Sequence, residues 1–128
     1  LRIYFFGEIG AGKSCFIRAL LQTLGVKQKI KSPTFSIIET YSMDSELYVH
    51  MDLYRLMDEQ ELDYLGLDEY EVDASIILIE WPDKVSCLPE ADINIKLDSI
   101  DFGQKREISI QSISKVGEII LNELLKSS

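Results

Sequence analysis

Cysteine is scarce in this chain of 128 residues. Cys15 and Cys87 stand far apart and belong to no CxxC or Cys/His cluster, so neither a zinc site nor a disulfide framework is indicated, and both are expected to be reduced thiols. Basic charge is short as well, with 13 Lys and Arg against 22 Asp and Glu for a net charge of −9. The segment Met43 to Asp73 holds eleven acids and a single base, Arg55. Affinity for nucleic acid is built from Lys and Arg contacts to phosphates, so a surface of this sign repels RNA and suits either plain solvation or a basic protein partner. No run approaches the ~20 apolar residues of a membrane span, and no basic stretch followed by an apolar core opens the chain. A cytoplasmic protein without membrane association is therefore expected. Repeats, linkers and low-complexity tracts are also missing. With 46% hydrophobic residues the chain is expected to form a single domain over residues 1–128, burying roughly two-thirds of its unfolded surface.

What is present alternates between the two regular periods. Leu1 to Phe6 is a short apolar, β-rich run stopped by Gly7, which predicts a buried strand. Lys13 to Leu24 puts Phe16, Ile17, Leu20, Leu21 and Leu24 on one helical stripe, with Gly25 as its C-terminal cap. Phe35 to Tyr41 and Leu47 to Asp52 predict a hairpin turning at Met43 to Glu46, placed beside the site. Asp58 with Glu61 opens a short helix ending near Gly66, and a further helical turn covers Leu67 to Val72. Ser75 to Ile79 is a continuous apolar run ending in Glu80, the pattern of a strand buried on both faces. Asp92 to Leu97 and Glu107 to Ile113 alternate as half-exposed strands, and Ser114 to Lys126 closes as an amphipathic helix.

The chemistry concentrates where the first strand meets the first helix. Gly7-Glu8-Ile9-Gly10-Ala11-Gly12-Lys13-Ser14 fits G-x-x-x-x-G-K-[ST] without a mismatch and lies between a strand and a helix, as a phosphate-binding loop must. Glycines let backbone N–H groups turn inward around a phosphate, and the helix start adds partial positive charge. Lys13 is expected on the β- and γ-phosphates, and the Ser14 hydroxyl on magnesium. Cys15, in the first helical turn, is counted with the nucleotide-contacting run, although its thiol is expected to pack in the core. Glu80 at the carboxyl end of an apolar strand reads as a second magnesium ligand, direct or through water. Lys31-Ser32-Pro33-Thr34-Phe35 occupies the position of a switch segment, with Thr34 as its hydroxyl. His50 and Asp52 alternate onto one face with Tyr54; His50 is expected to be a hydrogen-bonded structural residue and Asp52 a water-orienting or metal-proximal carboxylate. Lys27, Lys29 and Lys31 form the chain's basic patch, expected to be a solvated loop.

These motifs occur in order with Leu65-Gly66-Leu67, Ile79-Glu80-Trp81-Pro82 and Leu88-Pro89-Glu90-Ala91-Asp92. From Leu1 to about Leu97 the chain resembles the TsaE family of tRNA threonylcarbamoyladenosine biosynthesis ATPases. The resemblance implies a three-layer α/β P-loop NTPase fold with a mixed, largely parallel central sheet. It implies ATP and Mg²⁺ as cofactors, TsaD and TsaB as partners, and tRNA engaged only indirectly through that complex. It implies Lys13, Asp52 and Thr34 as catalytic residues, Ser14 and Glu80 as metal ligands, and Gly7 to Cys15 with Trp81 at the nucleotide. In this family a segment usually precedes the first strand and helps contact the base; this chain is expected to lack it. The loop hydroxyl is a serine instead of the family's usual threonine, which keeps the magnesium-ligating oxygen.

Two other P-loop readings remain open. A signalling GTPase is suggested by Asp63-Tyr64-Leu65-Gly66, although this D-x-x-G lies in an acidic helical segment, and Asn94 to Asp98 is one residue too long for N-K-x-D. A small-molecule kinase would need a lid and an acceptor pocket for which the chain has little material. Asp101-Phe102-Gly103 is a chance match to a kinase motif in an expected turn.

Overall fold

The structure is a computed structural model that describes residues 1–8, 12–27, 30, 37–58, 60–61, 66–74, 76–86, 88–100 and 105–126. Its frame is a sheet of six strands in the order β2-β3-β4-β1-β5-β6: β1 (Arg2–Phe6), β2 (Ile38–Met43), β3 (Glu46–Asp52), β4 (Ile76–Glu80), β5 (Ile93–Ile100) and β6 (Lys105–Ser112). The two most apolar runs, β1 and β4, lie side by side and parallel in the middle of the sheet. β3 pairs parallel to β4, β5 pairs parallel to β1, and only the outer pairs β2/β3 and β5/β6 are antiparallel. The sheet is thus mixed and largely parallel, as expected.

Helices cover both faces, as a sheet buried on both sides requires. On one face, α1 (Lys13–Thr23) drives Ile17 and Leu21 into a core with Phe5, Leu78, Ile93, Ile95 and Leu97. Ile120 of α3 (Lys115–Lys126) packs against the same core. On the other face, Leu67 and Tyr70 of α2 (Leu67–Asp73) pack with Val49, Met51, Ile77, Ile79 and Val85, the last just after a 3₁₀ turn at Pro82–Lys84. The chain leaves α1 through Gly25 at φ 104, a left-handed conformation that glycine adopts without strain.

Element positions follow the periodicity closely, with three local differences. The hairpin turns more tightly than expected, through Asp44 and Ser45. The helix expected from Asp58 is described only at Gln60 and Glu61, where Asp58 Oδ1 accepts the Gln60 N–H at 3.0 Å; Glu59 and 62–65, including the D-x-x-G start, lie outside the described residues. β6 does not alternate in burial: Ile108 and Ile110 are each 46% exposed on the strand that forms the sheet's edge. The expected turn at Asp101-Phe102-Gly103 lies outside the described residues.

The opposite end of the sheet is tied by Asp92. Its carboxylate accepts the Arg2 N–H at 2.8 Å and the Ser114 hydroxyl at 2.6 Å. Its carbonyl accepts the N–H groups of Ile113 and Ser114 at 2.8 and 3.3 Å. Ser114 Oγ in turn accepts the Gly117 N–H at 3.0 Å, capping α3. A Cβ built on Gly117 would overlap the Asp92 carbonyl, so only glycine lets the helix sit this close. Among the described residues, no helix is long and apolar enough to cross a membrane.

Candidate functional site

Ligands of open α/β sheets collect at the carboxyl ends of parallel strands, because the loops leaving that edge are free to shape a crevice. The register places three such ends together: Phe5 of β1 beside Glu80 of β4, and Glu80 beside Asp52 of β3. Side chains alternate across a strand, so Tyr48, His50 and Asp52 share the α1 face with Leu78 and Glu80. The N-terminus of α1 faces this row across a cavity of about 390 Å³.

Gly12 begins α1 at φ 94 with no side-chain cap, leaving the helix's first N–H groups for another acceptor. Ile9, Gly10 and Ala11 lie outside the described residues, while Gly7 and Glu8 lead into the loop. Lys13 is only 5% exposed. Its ammonium donates to the carbonyl of Gly7 and, at 3.4 Å, to that of Glu8, and it lies 3.7 Å from the centre of the Trp81 ring. Burial lowers its pKa, opposed by Glu80, Asp52 and Asp83. The lysine expected at the phosphates is therefore held inside the cavity wall by neutral acceptors and a ring face.

Glu80 is 2% exposed and lies between two partners. Ser14 Oγ is 3.2 Å from each of its carboxylate oxygens, and His50 Nε2 donates to Oε2 at 2.7 Å. His50 is therefore a hydrogen-bonded residue as expected, and its partner is the expected metal ligand itself. His50 Nδ1 is buried without a hydrogen-bond partner. Two residues on, Asp52 accepts the Tyr54 N–H at 3.0 Å. Burial raises its pKa, that hydrogen bond opposes the rise, and Glu80 adds to it. Trp81 sits at φ 59, a left-handed conformation costly for a side chain of its size, and its ring lies 4.9 Å from that of Tyr54.

Lys13, Ser14, Asp52, Glu80 and Trp81 thus line one cavity. Thr34, with all of Lys31 to Ser36, lies outside the described residues, as do Lys29 and Cys87. Cys15 departs from expectation: its side chain is exposed and lines the cavity instead of packing in the core, because it falls on the side of α1 opposite Ile17 and Leu21. Arg106 also lines the cavity, although nothing in the local pattern of β6 marks it. Arg55, the one base of the acidic segment, is exposed.

The oxygen donors fit magnesium. Two cis ligands of an octahedral ion with ~2.1 Å bonds stand about 3 Å apart, close to the 3.2 Å between Ser14 Oγ and the Glu80 oxygens. Among the described residues no cluster of three His, Cys, Asp or Glu side chains would hold a metal alone.

The chain is similar to several known proteins. The family model described as threonylcarbamoyl adenosine biosynthesis protein TsaE matches residues 1–108. The tRNA threonylcarbamoyladenosine biosynthesis protein TsaE of Haemophilus influenzae is 39% identical over 113 residues, covering 88% of this chain and 72% of that protein. Those of Bacillus subtilis and Treponema pallidum are 34% and 36% identical, over 92% and 81% of this chain and 73% and 76% of theirs. A crystal structure of Bacillus subtilis YdiB superposes with a TM-score of 0.77 at 28% identity, covering 98% of this chain and 77% of that one.

Proposed function

The chain belongs to the TsaE family of threonylcarbamoyl adenosine biosynthesis proteins, and from that premise we propose that it binds ATP with Mg²⁺ and hydrolyses it slowly, at full effect only when docked on TsaB and TsaD. The observation that carries this reading is the convergence of Lys13, Ser14, Glu80 and Asp52 on one cavity at the start of α1. Lys13 takes the β- and γ-phosphates in exchange for the two carbonyls it now contacts, while the N–H groups beside Gly12 donate to phosphate oxygens. Ser14 and Glu80 hold the magnesium, which neutralises phosphate charge when bound. His50 fixes the Glu80 carboxylate through the 2.7 Å bond. Asp52, beside Glu80 in the register, is the acceptor that orients the attacking water, and Trp81 lies against the nucleotide. Thr34 acts as the switch hydroxyl.

Hydrolysis in this account resets an assembly. The acidic stretch from Met43 to Asp73 leads through β3 and Asp52 directly to the site, so nucleotide state changes what it presents to a basic surface on TsaB or TsaD. With a net charge of −9 the chain meets tRNA only indirectly, through the complex, in the cytoplasm. The test is the nucleoside composition of tRNA from cells lacking this protein. N6-threonylcarbamoyladenosine at position 37 is expected to fall; an unchanged level refutes the assigned pathway.

A further inference from the structure

We propose that a groove on the face of the sheet opposite α1 is the docking surface for a basic, extended segment of a protein partner, which seats an arginine in a cavity beside Asn94. This rests on the partner-docking part of the proposed function and gives it a place on the molecule. The register builds the floor, where Tyr4 and Phe6 of β1 stand beside Asn94 and Lys96 of β5. Side chains alternate along both strands, so these four, and Asp98 beyond them, turn away from Phe5, Ile95 and Leu97 of the α1 core. Val85, Leu88 and Pro89, from the stretch that follows β4, line a cavity of about 300 Å³ together with Asn94. Tyr4 pins that wall, its hydroxyl donating to the carbonyl of Pro89. A second cavity, of about 660 Å³, reaches on to Tyr54, Trp81 and Asp98. Phe6 and Asp83 line both, so the two form one groove along β5.

The lining describes the occupant. Asn94 Oδ1 is buried and accepts no hydrogen bond, a destabilising arrangement that an incoming N–H group relieves. Around it the walls are apolar, through Phe6, Val85, Leu88 and Ile113. Among the described residues, Glu8, Asp83, Glu90 and Asp98 line the groove against one base, Lys96, and none of the four carboxylates is in a salt bridge. An arginine matches all three features, with an apolar stem for the walls, N–H donors for Asn94 and a charge for the exposed Asp83 and Glu90. The same carboxylates repel a phosphate backbone. From Asn94 to Asp98 the floor runs about 13 Å at the rise of a strand, room for a short extended segment. The groove also meets the nucleotide site, because Glu8, Tyr54 and Trp81 line both its larger cavity and the one that holds Lys13 and Ser14. Lys13 contacts the carbonyls of Gly7 and Glu8 and the Trp81 ring, so a nucleotide that draws it away alters the wall the partner meets. Nucleotide and partner then bias each other's binding by the same factor.

The test is equilibrium titration of TsaB and TsaD together onto the immobilised protein, with melting temperatures measured in parallel. Asn94→Leu removes the unpartnered acceptor and fills its cavity, so its melting temperature is expected to equal or exceed that of the wild type while partner affinity falls about tenfold. A purely structural asparagine would not separate the two readouts in this way. Glu90→Lys and Asp98→Lys are each expected to weaken the partners about tenfold, and the loss shrinks at about 0.5 M salt, where exposed charges are screened. Glu123→Lys makes the same charge change on α3, across the sheet, and is expected to bind as the wild type does. ATP affinity, followed by fluorescence of Trp81, the chain's single tryptophan, stays at the wild-type value in Asn94→Leu and Glu90→Lys. Wild-type partner affinity in Asn94→Leu, or in both groove charge reversals, overturns the proposal and leaves the partner reading standing, and so does an equal loss in Glu123→Lys. A wild-type protein that binds neither partner sinks the partner reading and this proposal together.

Discussion

Asp52 and Asp92 are the same residue type at opposite edges of one sheet, and the structure treats them in opposite ways. Asp92, at the amino edge, accepts the Arg2 N–H and the Ser114 hydroxyl with its carboxylate. Burial pushes its carboxyl up, yet those two hydrogen bonds, joined by the positive charges of the first residue's amino group and of Arg2, outweigh it and hold the pKa below the ordinary range. Asp52, at the carboxyl edge, accepts the Tyr54 N–H and lies beside Glu80, and burial holds its pKa above that range. At the amino edge Asp92, Arg2 and Ser114 satisfy one another, although Glu71 Oε1, 3.8 Å from Arg2 Nη1, is buried there without a hydrogen bond. The other keeps a lysine on neutral acceptors, a histidine with a buried unpartnered nitrogen and a tryptophan at positive φ. Polar groups arranged so that an added anion and cation complete them are the physical signature of a site, because such an arrangement costs stability until the ligand arrives.

The contrast predicts that substitutions at the carboxyl edge change chemistry and those at the amino edge change folding. The largest effect is expected at Glu80. Glu80→Gln keeps the side chain's shape and removes its charge, so turnover should fall about 10–100-fold with a raised magnesium requirement and little change in melting temperature. An unaltered magnesium titration would make Glu80 a structural residue and erase the contrast.

Gly117→Ala comes next, at the other edge. The added methyl meets the Asp92 carbonyl, and the gain in helix propensity offsets only part of that clash, so about 2 kcal/mol of stability should be lost in denaturant titration. ATP affinity of the folded fraction should not move. Wild-type stability in this variant would show that α3 docks less tightly on Asp92 than the structure has it.

Smaller effects sharpen the comparison through pH. The folded pKa of Asp92 is depressed, so its contribution is present above the unfolded carboxylate value near 4 and is lost as pH falls through the folded value. Asp92→Asn should therefore cost about 1 kcal/mol at neutral pH, with the gap closing under acid. The folded pKa of Asp52 is raised, so the sign reverses: ionisation weakens the fold as pH rises through that value. Asp52→Asn, which still accepts from Tyr54, should stabilise by up to about 0.5 kcal/mol at neutral pH and be neutral below the unfolded pKa. Thermal melts of both variants across pH that shift in the same direction would remove the distinction between the two edges.

Much of the fold and the centre of the site were legible because they are local. The stripe from Phe16 to Leu24, the apolar runs of β1 and β4 and the spacing from Gly7 to Ser14 each lie within a dozen residues of chain. Glu80 and Asp52 could be suspected separately from their strand ends. Their adjacency, and the bond from His50 to Glu80, depend on register between β3 and β4, which no local pattern carries. Arg106 reaches Gly12 only because β5 pairs with β1 and overshoots it, a consequence of strand order. The role of Asp92 was hidden for the same reason, since its partners Arg2 and Ser114 come from either end of the chain. β6 alternates in sequence yet is exposed throughout most of its length, because alternation reports a face and not whether another layer covers it.

Partner-dependent hydrolysis is tested by the steady-state rate of phosphate release from ATP, measured at physiological salt for the protein alone and with TsaB and TsaD, using Lys13→Ala as the blank. Slow release by the protein alone, faster release with the partners, and loss of both in a folded Lys13→Ala are expected. Release at the wild-type rate in Lys13→Ala, or fast release that the partners leave unchanged, would contradict that mechanism.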